Sequence, residues 1–173
     1  TIAAKITLED VLNGKNLIAS YALRSGKKET VDIEIPPGMK DGDVIRYSGL
    51  GDDILQMQRG DLHVKIQILK DENWMREGIH LYREYKIDAL DLIVGTSIIV
   101  DTIDGRQLNL KIPPGTQTNG RFNIAQHGLP NRKNGTRGNA YIIVSAVIPK
   151  IKNSAVLQYV KAIKTTIEND ETD

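Results

Sequence analysis

The chain of 173 residues contains no cysteine, one tryptophan, one phenylalanine and no long apolar run. Without cysteine it can form no disulfide, no thiolate zinc site and no cysteine nucleophile, which fits a reducing compartment. Its apolar segments fall well short of the ~20 residues that span a bilayer, and residues 1–5 lack the features of a signal peptide. The 23 basic residues nearly balance the 22 acidic ones, so no strong field attracts nucleic acid or an anionic membrane. We therefore expect a cytoplasmic protein that binds neither.

Apolar and polar residues alternate with a period of two along most of the chain, for example in residues 31–35, 62–68 and 108–112. This alternation is typical of half-buried strands. Turn sequences such as Pro-Pro-Gly and Asp-Gly separate the alternating segments, and long helical stretches are few. The chain is therefore predicted to be mainly β, with antiparallel strands. Because it begins without Met and directly in this pattern, we also expect it to be a piece of a longer protein.

An internal repeat divides the chain into two halves. Residues 30–38, which end in Pro-Pro-Gly, recur as residues 107–115, and residues 60–64 recur as residues 138–142. Two consecutive prolines end a strand, so each copy predicts a strand, a tight turn, a strand, a glycine loop and a strand. A short segment that ends in glycine precedes each copy, at Leu8–Gly14 and Ala89–Gly95, and predicts a single helical turn.

The repeat predicts two tandem, related β domains, domain I at residues 1–70 and domain II at residues 71–150. The link between them is apolar only at Trp74 and Met75, which we predict to pin the two domains together. The alternative for Trp74 is a platform for a ligand.

The remaining residues, 151–173, are predicted to be an amphipathic helix with an acidic tail. From Asn153 or Ser154 as N-cap, an apolar stripe follows at helical spacing, formed by Val156, Val160, Ile163 and Ile167. Such a stripe either folds back on domain II or packs on the same stripe of a second chain, and periodicity alone does not choose. The acidic end, Glu168, Asp170, Glu171 and Asp173, opposes the helix dipole and is expected to fray.

An ordered series of motifs covers nearly the whole chain. It comprises Leu8-Glu9-Asp10 with Gly14, residues 31–42, Gly49-Leu50-Gly51, residues 59–64, Val94-Gly95-Thr96, residues 102–106, residues 112–117, Gly128-Leu129-Pro130 and Arg137-Gly138-Asn139. This series resembles the C-terminal substrate-binding region of DnaJ-type J-domain co-chaperones, the partners of DnaK-type chaperones. The resemblance implies two β-sandwich-like domains in tandem and a C-terminal dimerisation helix, hence a homodimer.

The resemblance also implies a site for unfolded client polypeptide in domain I, lined by Ile2, Ala4, Ala19 and Tyr21. The alternative is that these four are ordinary inner-face residues of a strand. The implied function is a co-chaperone fragment that binds non-native polypeptide and delivers it to a DnaK-type chaperone. A structural or scaffold β module that reuses the fold is the alternative.

Three departures from the family's pattern qualify this interpretation. None of His63, His80 and His127 precedes proline, so the J domain's His-Pro-Asp tripeptide is absent and we expect no stimulation of ATP hydrolysis. The paired-cysteine motifs of some members are also absent, which places the chain with the zinc-free branch. In that branch a basic and aromatic patch holds the partner's acidic tail, but here only Lys15 is kept, while Leu17 and Ala19 stand where a Lys and a Phe are expected.

The residues favour no enzyme, cofactor or metal. No serine stands in a nucleophile-elbow sequence and the three histidines are scattered. Asp61 and His63 lie two apart on one predicted strand, where they are either solvated or two ligands of an incomplete metal site.

Overall fold

The computed structural model describes residues 1–53 and 59–170. As predicted, the fold is mainly β with several sheets and a C-terminal helix. The first unit contains β1 (Ile2–Ile6), α1 (Leu8–Asn13), β2 (Lys15–Ala22), β3 (Lys28–Ile35), β4 (Val44–Tyr47) and β5 (Leu62–Ile68). The second unit contains β6 (Met75–Glu77), β7 (His80–Asp88), α2 (Ala89–Val94), β8 (Thr96–Asp101), β9 (Gln107–Ile112), β10 (Arg121–Ile124) and β11 (Ala140–Val147). Helix α3 (Ser154–Asp170) follows.

The two units share one topology, as the repeat predicts. The first has a sheet of order β1-β5-β4 and a separate hairpin, β2-β3. The second has the equivalent sheet, β10-β11-β7, with β6 added outside β7, and the equivalent hairpin, β8-β9. The division at residues 70 and 71 stays a prediction, because one continuous core cluster contains residues of both units, for example Ala4 and Leu81.

The prediction that all strands are antiparallel is wrong. Strand β1 pairs with β5 in parallel, with Ile2 opposite Val64, and β7 pairs with β11 in parallel. Alternation reports which face of a strand is buried and says nothing about strand direction. A parallel pair needs a long crossover, and here the helical turn, the hairpin and a further strand provide it.

Each helical turn is bonded to the Pro-Pro-Gly turn of its own unit. Thr7 caps α1 in a capping box with Asp10, and the backbone N–H of Gly38 donates to the carbonyl of Val11 at 2.8 Å. In the second unit the N–H of Gly115 donates to the carbonyl of Leu92 at the same distance. Each Pro-Pro-Gly turn, at the end of β3 or β9, is thus hydrogen-bonded to the helical turn of its unit. This bond positions the hairpin to which that strand belongs.

The two units contact each other around Met39. Arg76 donates a hydrogen bond to the Met39 carbonyl at 2.9 Å, and the Arg132 guanidinium lies 3.3 Å from the Met39 sulfur. Trp74 is 7% exposed and belongs to the core cluster that both units share. The prediction for Met75 is wrong, because its side chain is 69% exposed on β6. Strand β6 turns Met75 away from the core and Arg76 towards it.

Helix α3 does not fold back onto the second unit. None of its residues is buried, and Val156, Ile163 and Ile167 are 44%, 60% and 50% exposed. Asn153 is the N-cap, since its side-chain oxygen accepts from the N–H groups of Ala155 and Val156. Lys164 pairs with Glu168 near the end of the helix, while Glu171 and Asp173 of the predicted fraying tail lie outside the described residues.

Candidate functional site

The predicted groove residues lie on two strands that have open edges. Strand β1 is the edge of its sheet, and β2 pairs only with β3 among the strands of residues 1–53 and 59–170. Ile2, Ala19 and Tyr21 are partly buried and pack against the common core. Ala4 is 4% exposed, so its side chain belongs to the core and it presents mainly backbone at the surface. The structure thus brings the four residues to one core-facing layer.

Leu17 is a further apolar residue of this layer that sequence reasoning did not assign to the groove. It alternates with Ala19 and Tyr21 along β2 and is partly buried against the same core. The signal was present in the sequence, since side chains at every second position of a strand share a face.

Hydrogen bonds hold Tyr21, one of the residues predicted to line the groove. The Tyr21 hydroxyl donates to the Leu50 carbonyl at 2.6 Å. Glu29, opposite Tyr21 on β3, receives two hydrogen bonds from Arg59, at 3.1 and 2.6 Å. Arg59 is the largest cause that holds the pKa of Glu29 below its ordinary value. Lys27 also pairs with Glu29, at 3.4 Å, so one carboxylate lies between two cations at this end of the predicted groove.

Lys15, the residue predicted to hold an acidic partner tail, lies at the start of β2. Its ammonium contacts Asp10 Oδ2 at 2.8 Å. A small pocket of about 320 Å³ adjoins it, lined in part by Asn13, Glu34 and Pro37. Lys15 is therefore already paired, and the structure adds no second cation to this pocket's lining residues.

A larger cleft of about 1430 Å³ lies between the units, beside Trp74, Tyr82 and Leu8. None of the four predicted groove residues lines this cleft. This cleft is larger, but we do not choose it as the candidate client site. Its walls mix acidic and basic side chains, which do not suit an apolar client. The open strand edges are the better defined feature.

Two further predictions concern metal and membrane. Asp61 accepts from Arg46 and from the Gly49 N–H, so it serves the turn and the strand pair. Within the described ranges, no group of three or more His, Asp and Glu side chains is placed to hold a metal ion. None of the helices that these ranges contain is long and apolar enough to cross a membrane.

A known family of chaperone domains matches nearly the whole chain. Residues 1–149 match the DnaJ C-terminal domain family, and the chain belongs to it. The family is not an enzyme family.

Relatives with established names support this assignment. The chain is 37% identical over 124 residues to the Chaperone protein DnaJ of Prochlorococcus marinus, a match that covers 70% of this chain and 33% of the relative. It is 33% identical over 125 residues to Chaperone protein DnaJ 2 of Aquifex aeolicus, covering 72% and 33%. It is 30% identical over 153 residues to the Chaperone protein DnaJ of Clostridium perfringens, covering 85% and 39%. The chain thus spans between a third and two fifths of the length of these relatives.

Proposed function

We propose that this chain is the client-binding part of a DnaJ-type co-chaperone and holds an extended segment of non-native polypeptide on the open edge of β2. The observation that carries the proposal is the combination of that edge with the apolar layer of Ile2, Leu17, Ala19 and Tyr21. A client needs free backbone partners and apolar contacts, and no catalytic group.

The strand register identifies the free backbone groups. The N–H of Leu23 donates to the carbonyl of Lys27 across the hairpin, so the backbone groups of alternate residues point the other way. These are Ile18, Ser20 and Ala22, whose N–H and C=O groups face the open edge of β2. A client that adds as a strand bonds to them through its main chain. Every second client side chain then faces the apolar layer, which gives affinity with little sequence selectivity.

The first prediction tests the apolar layer. Replacing Tyr21 with Asp puts a carboxylate into the apolar layer, directly opposite the carboxylate of Glu29, and this charge must be desolvated when a peptide binds. We expect the affinity for an extended apolar peptide to fall at least tenfold, an effect of about 1.4 kcal/mol or more. The measurement is a peptide titration followed at the amides of Ile18 to Ala22, with circular dichroism to establish that the variant is folded.

Tyr21→Phe is the matched control. It removes the hydroxyl that bonds to the Leu50 carbonyl but keeps the ring, so it should bind peptide nearly as the parent does. Unchanged affinity in folded Tyr21→Asp contradicts the groove, and if the parent also fails to suppress aggregation of an unfolded client, the scaffold interpretation replaces the chaperone one.

The same proposal includes the partners. Two chains joined through the stripe of α3 present two grooves to one unfolded polypeptide and gain avidity. The exposed stripe supports this homodimer, since none of its residues is buried in the single chain. Delivery to a DnaK-type chaperone in the cytoplasm belongs to the proposal through the family. Contact of that partner's acidic tail with Lys15 requires Lys15 to leave or share its pairing with Asp10.

A further inference from the structure

The second unit has the same strands as those that form the proposed groove in the first unit, but the side chains at the equivalent positions differ. Gly14 and Gly95 lie 81 positions apart at equivalent helix ends, and the same spacing makes Arg83 the counterpart of Ile2 and Tyr85 the counterpart of Ala4. The register of the parallel pairs agrees. Ile2 lies opposite Val64 on β5, and Arg83 lies opposite Ile142, which is Val64's counterpart on β11.

Arg83 and Tyr85 reach across to the edge of β8. The Tyr85 hydroxyl accepts from the N–H of Asp101 at 3.3 Å, and the Arg83 guanidinium donates to the carbonyl of Asp101 at 3.2 Å. The guanidinium also lies 4.8 Å from the centre of the Tyr85 ring, an attractive cation–π distance. Two stacked side chains from β7 thus hold both backbone groups of a single residue on β8.

Those backbone groups are the ones that a client would need. The N–H of Thr102 donates to the carbonyl of Arg106, so Thr102 faces β9 and its neighbour Asp101 faces the open edge of β8. By the same spacing, Asp101 is the counterpart of Ser20 on β2. The groups of Ser20 face an open edge, whereas those of Asp101 are bonded by Arg83 and Tyr85.

The geometry points to Arg83 and Tyr85 as the residues that close the second unit's groove, so that each chain holds one client segment and holds it on the first unit. This inference rests on the proposed function, because it assigns a specificity role within the same kind of site. Ile2 and Ala4 leave their groove open since neither carries a group that can bond to the facing strand. Val100, the counterpart of Ala19, is fully buried whereas Ala19 is only partly so, and it therefore offers no apolar surface to a client at this position.

The test is a double variant of the full chain that copies the first unit, Arg83→Ile with Tyr85→Ala. Titrated with the extended apolar peptide, it should bind two peptides per chain, with new shifts at the amides of Ser97 to Asp101, whereas the parent binds one. In a Tyr21→Asp background the double variant should keep the β8 site alone. A parent that binds two peptides, or a folded double variant that gains nothing at β8, overturns the inference. If the parent binds none at Ile18 to Ala22, it is the proposed function that fails.

Hydrogen exchange provides a second arm that does not depend on the double variant folding. In the peptide-free parent, the amide of Asp101 should exchange more slowly than that of Ser20. Tyr85→Phe, which removes only the accepting hydroxyl, should speed exchange at Asp101 by about fivefold or more, as expected for one lost hydrogen bond. Equal rates at Asp101 and Ser20 in the parent, or no change in Tyr85→Phe, contradict the closed edge.

Discussion

Asp10 joins the first helical turn to the start of β2. It accepts from the N–H of Thr7 at 2.9 Å and pairs with Lys15 at 2.8 Å. Burial raises the pKa of Asp10, but hydrogen bonds from Lys15 and Thr7 outweigh it and leave the pKa below its ordinary value. The carboxylate therefore contributes stability above the ordinary pKa of about 4, and this contribution is lost as the pH falls through the lowered, native pKa.

We therefore predict that Asp10→Asn lowers the free energy of unfolding by about 1 kcal/mol at pH 7 and by less at pH 3. Urea unfolding at the two pH values measures the difference. Asp91→Asn is the control, because Asp91 holds the same position on α2 but is exposed. A loss for Asp10→Asn that is the same at both pH values would show that the carboxylate's charge is not involved.

The two Pro-Pro-Gly turns are the same element in different surroundings. Gly38 and Gly115 both adopt left-handed backbone angles, with φ of +80° and +75°. A Cβ on Gly38 would lie 2.8 Å from the Pro130 carbonyl and 3.1 Å from the Arg132 nitrogen, whereas a Cβ on Gly115 would meet nothing within 4 Å. The turn at Gly38 is thus packed tightly against the second unit, whereas the turn at Gly115 has open space around it.

We predict that Gly115→Ala costs about 1 kcal/mol from backbone strain alone, and that Gly38→Ala costs roughly 1 to 3 kcal/mol more. The added cost should appear as weaker contact between the units, seen as faster proteolysis between residues 69 and 78. Equal losses of stability in the two variants would mean that the contact at Pro130 yields without cost.

How far the sequence predicted these elements depends on what each one needs. The helical turns and the repeated topology follow from local patterns and from comparing the halves, so they were predicted. Strand direction was not, because alternation is identical in parallel and antiparallel strands. Of the two adjacent apolar residues in the link, Trp74 is buried and Met75 is exposed. Which of them is buried depends on the pairing of β6 with β7, which the sequence pattern does not show. The roles of Arg83 and Tyr85 depend on their approach to Asp101, although aligning the halves pairs them with Ile2 and Ala4.

On the scale of the whole molecule, the exposed stripe of α3 is the feature on which the proposed homodimer rests. Val156, Val160, Ile163 and Ile167 could remove on the order of 100 Å² each from water, about 10 kcal/mol per helix before the costs of association. Leu157 and Tyr159, 41% and 71% exposed, flank the stripe and widen it. The area is smaller than the ~800 Å² per partner of a standard interface, so a moderately tight dimer is expected.

We predict that deletion of residues 153–173 gives a folded monomer that suppresses aggregation less well, because a single groove lacks avidity. Sedimentation measures the mass, and Ile163→Asp should behave like the deletion. Thr165→Asp, on the opposite side of the helix, should remain a dimer. A parent chain that is monomeric at tens of micromolar, or a truncated chain that still dimerises, would contradict the role of α3.

The parallel pairing of β1 with β5 also bears on how the chain folds as it is synthesised. The first strand gains its sheet partner only after Ile68 has been made, whereas β7 can pair at once with β6 and waits only for its parallel partner β11, which ends at Val147. Contacts so distant along the sequence raise the contact order and slow folding. A ribosome adding roughly 5 to 20 residues per second leaves the apolar face of β1 unpaired for seconds. A protein of the chaperone family is thus, during its own synthesis, a nascent chain that other chaperones would recognise.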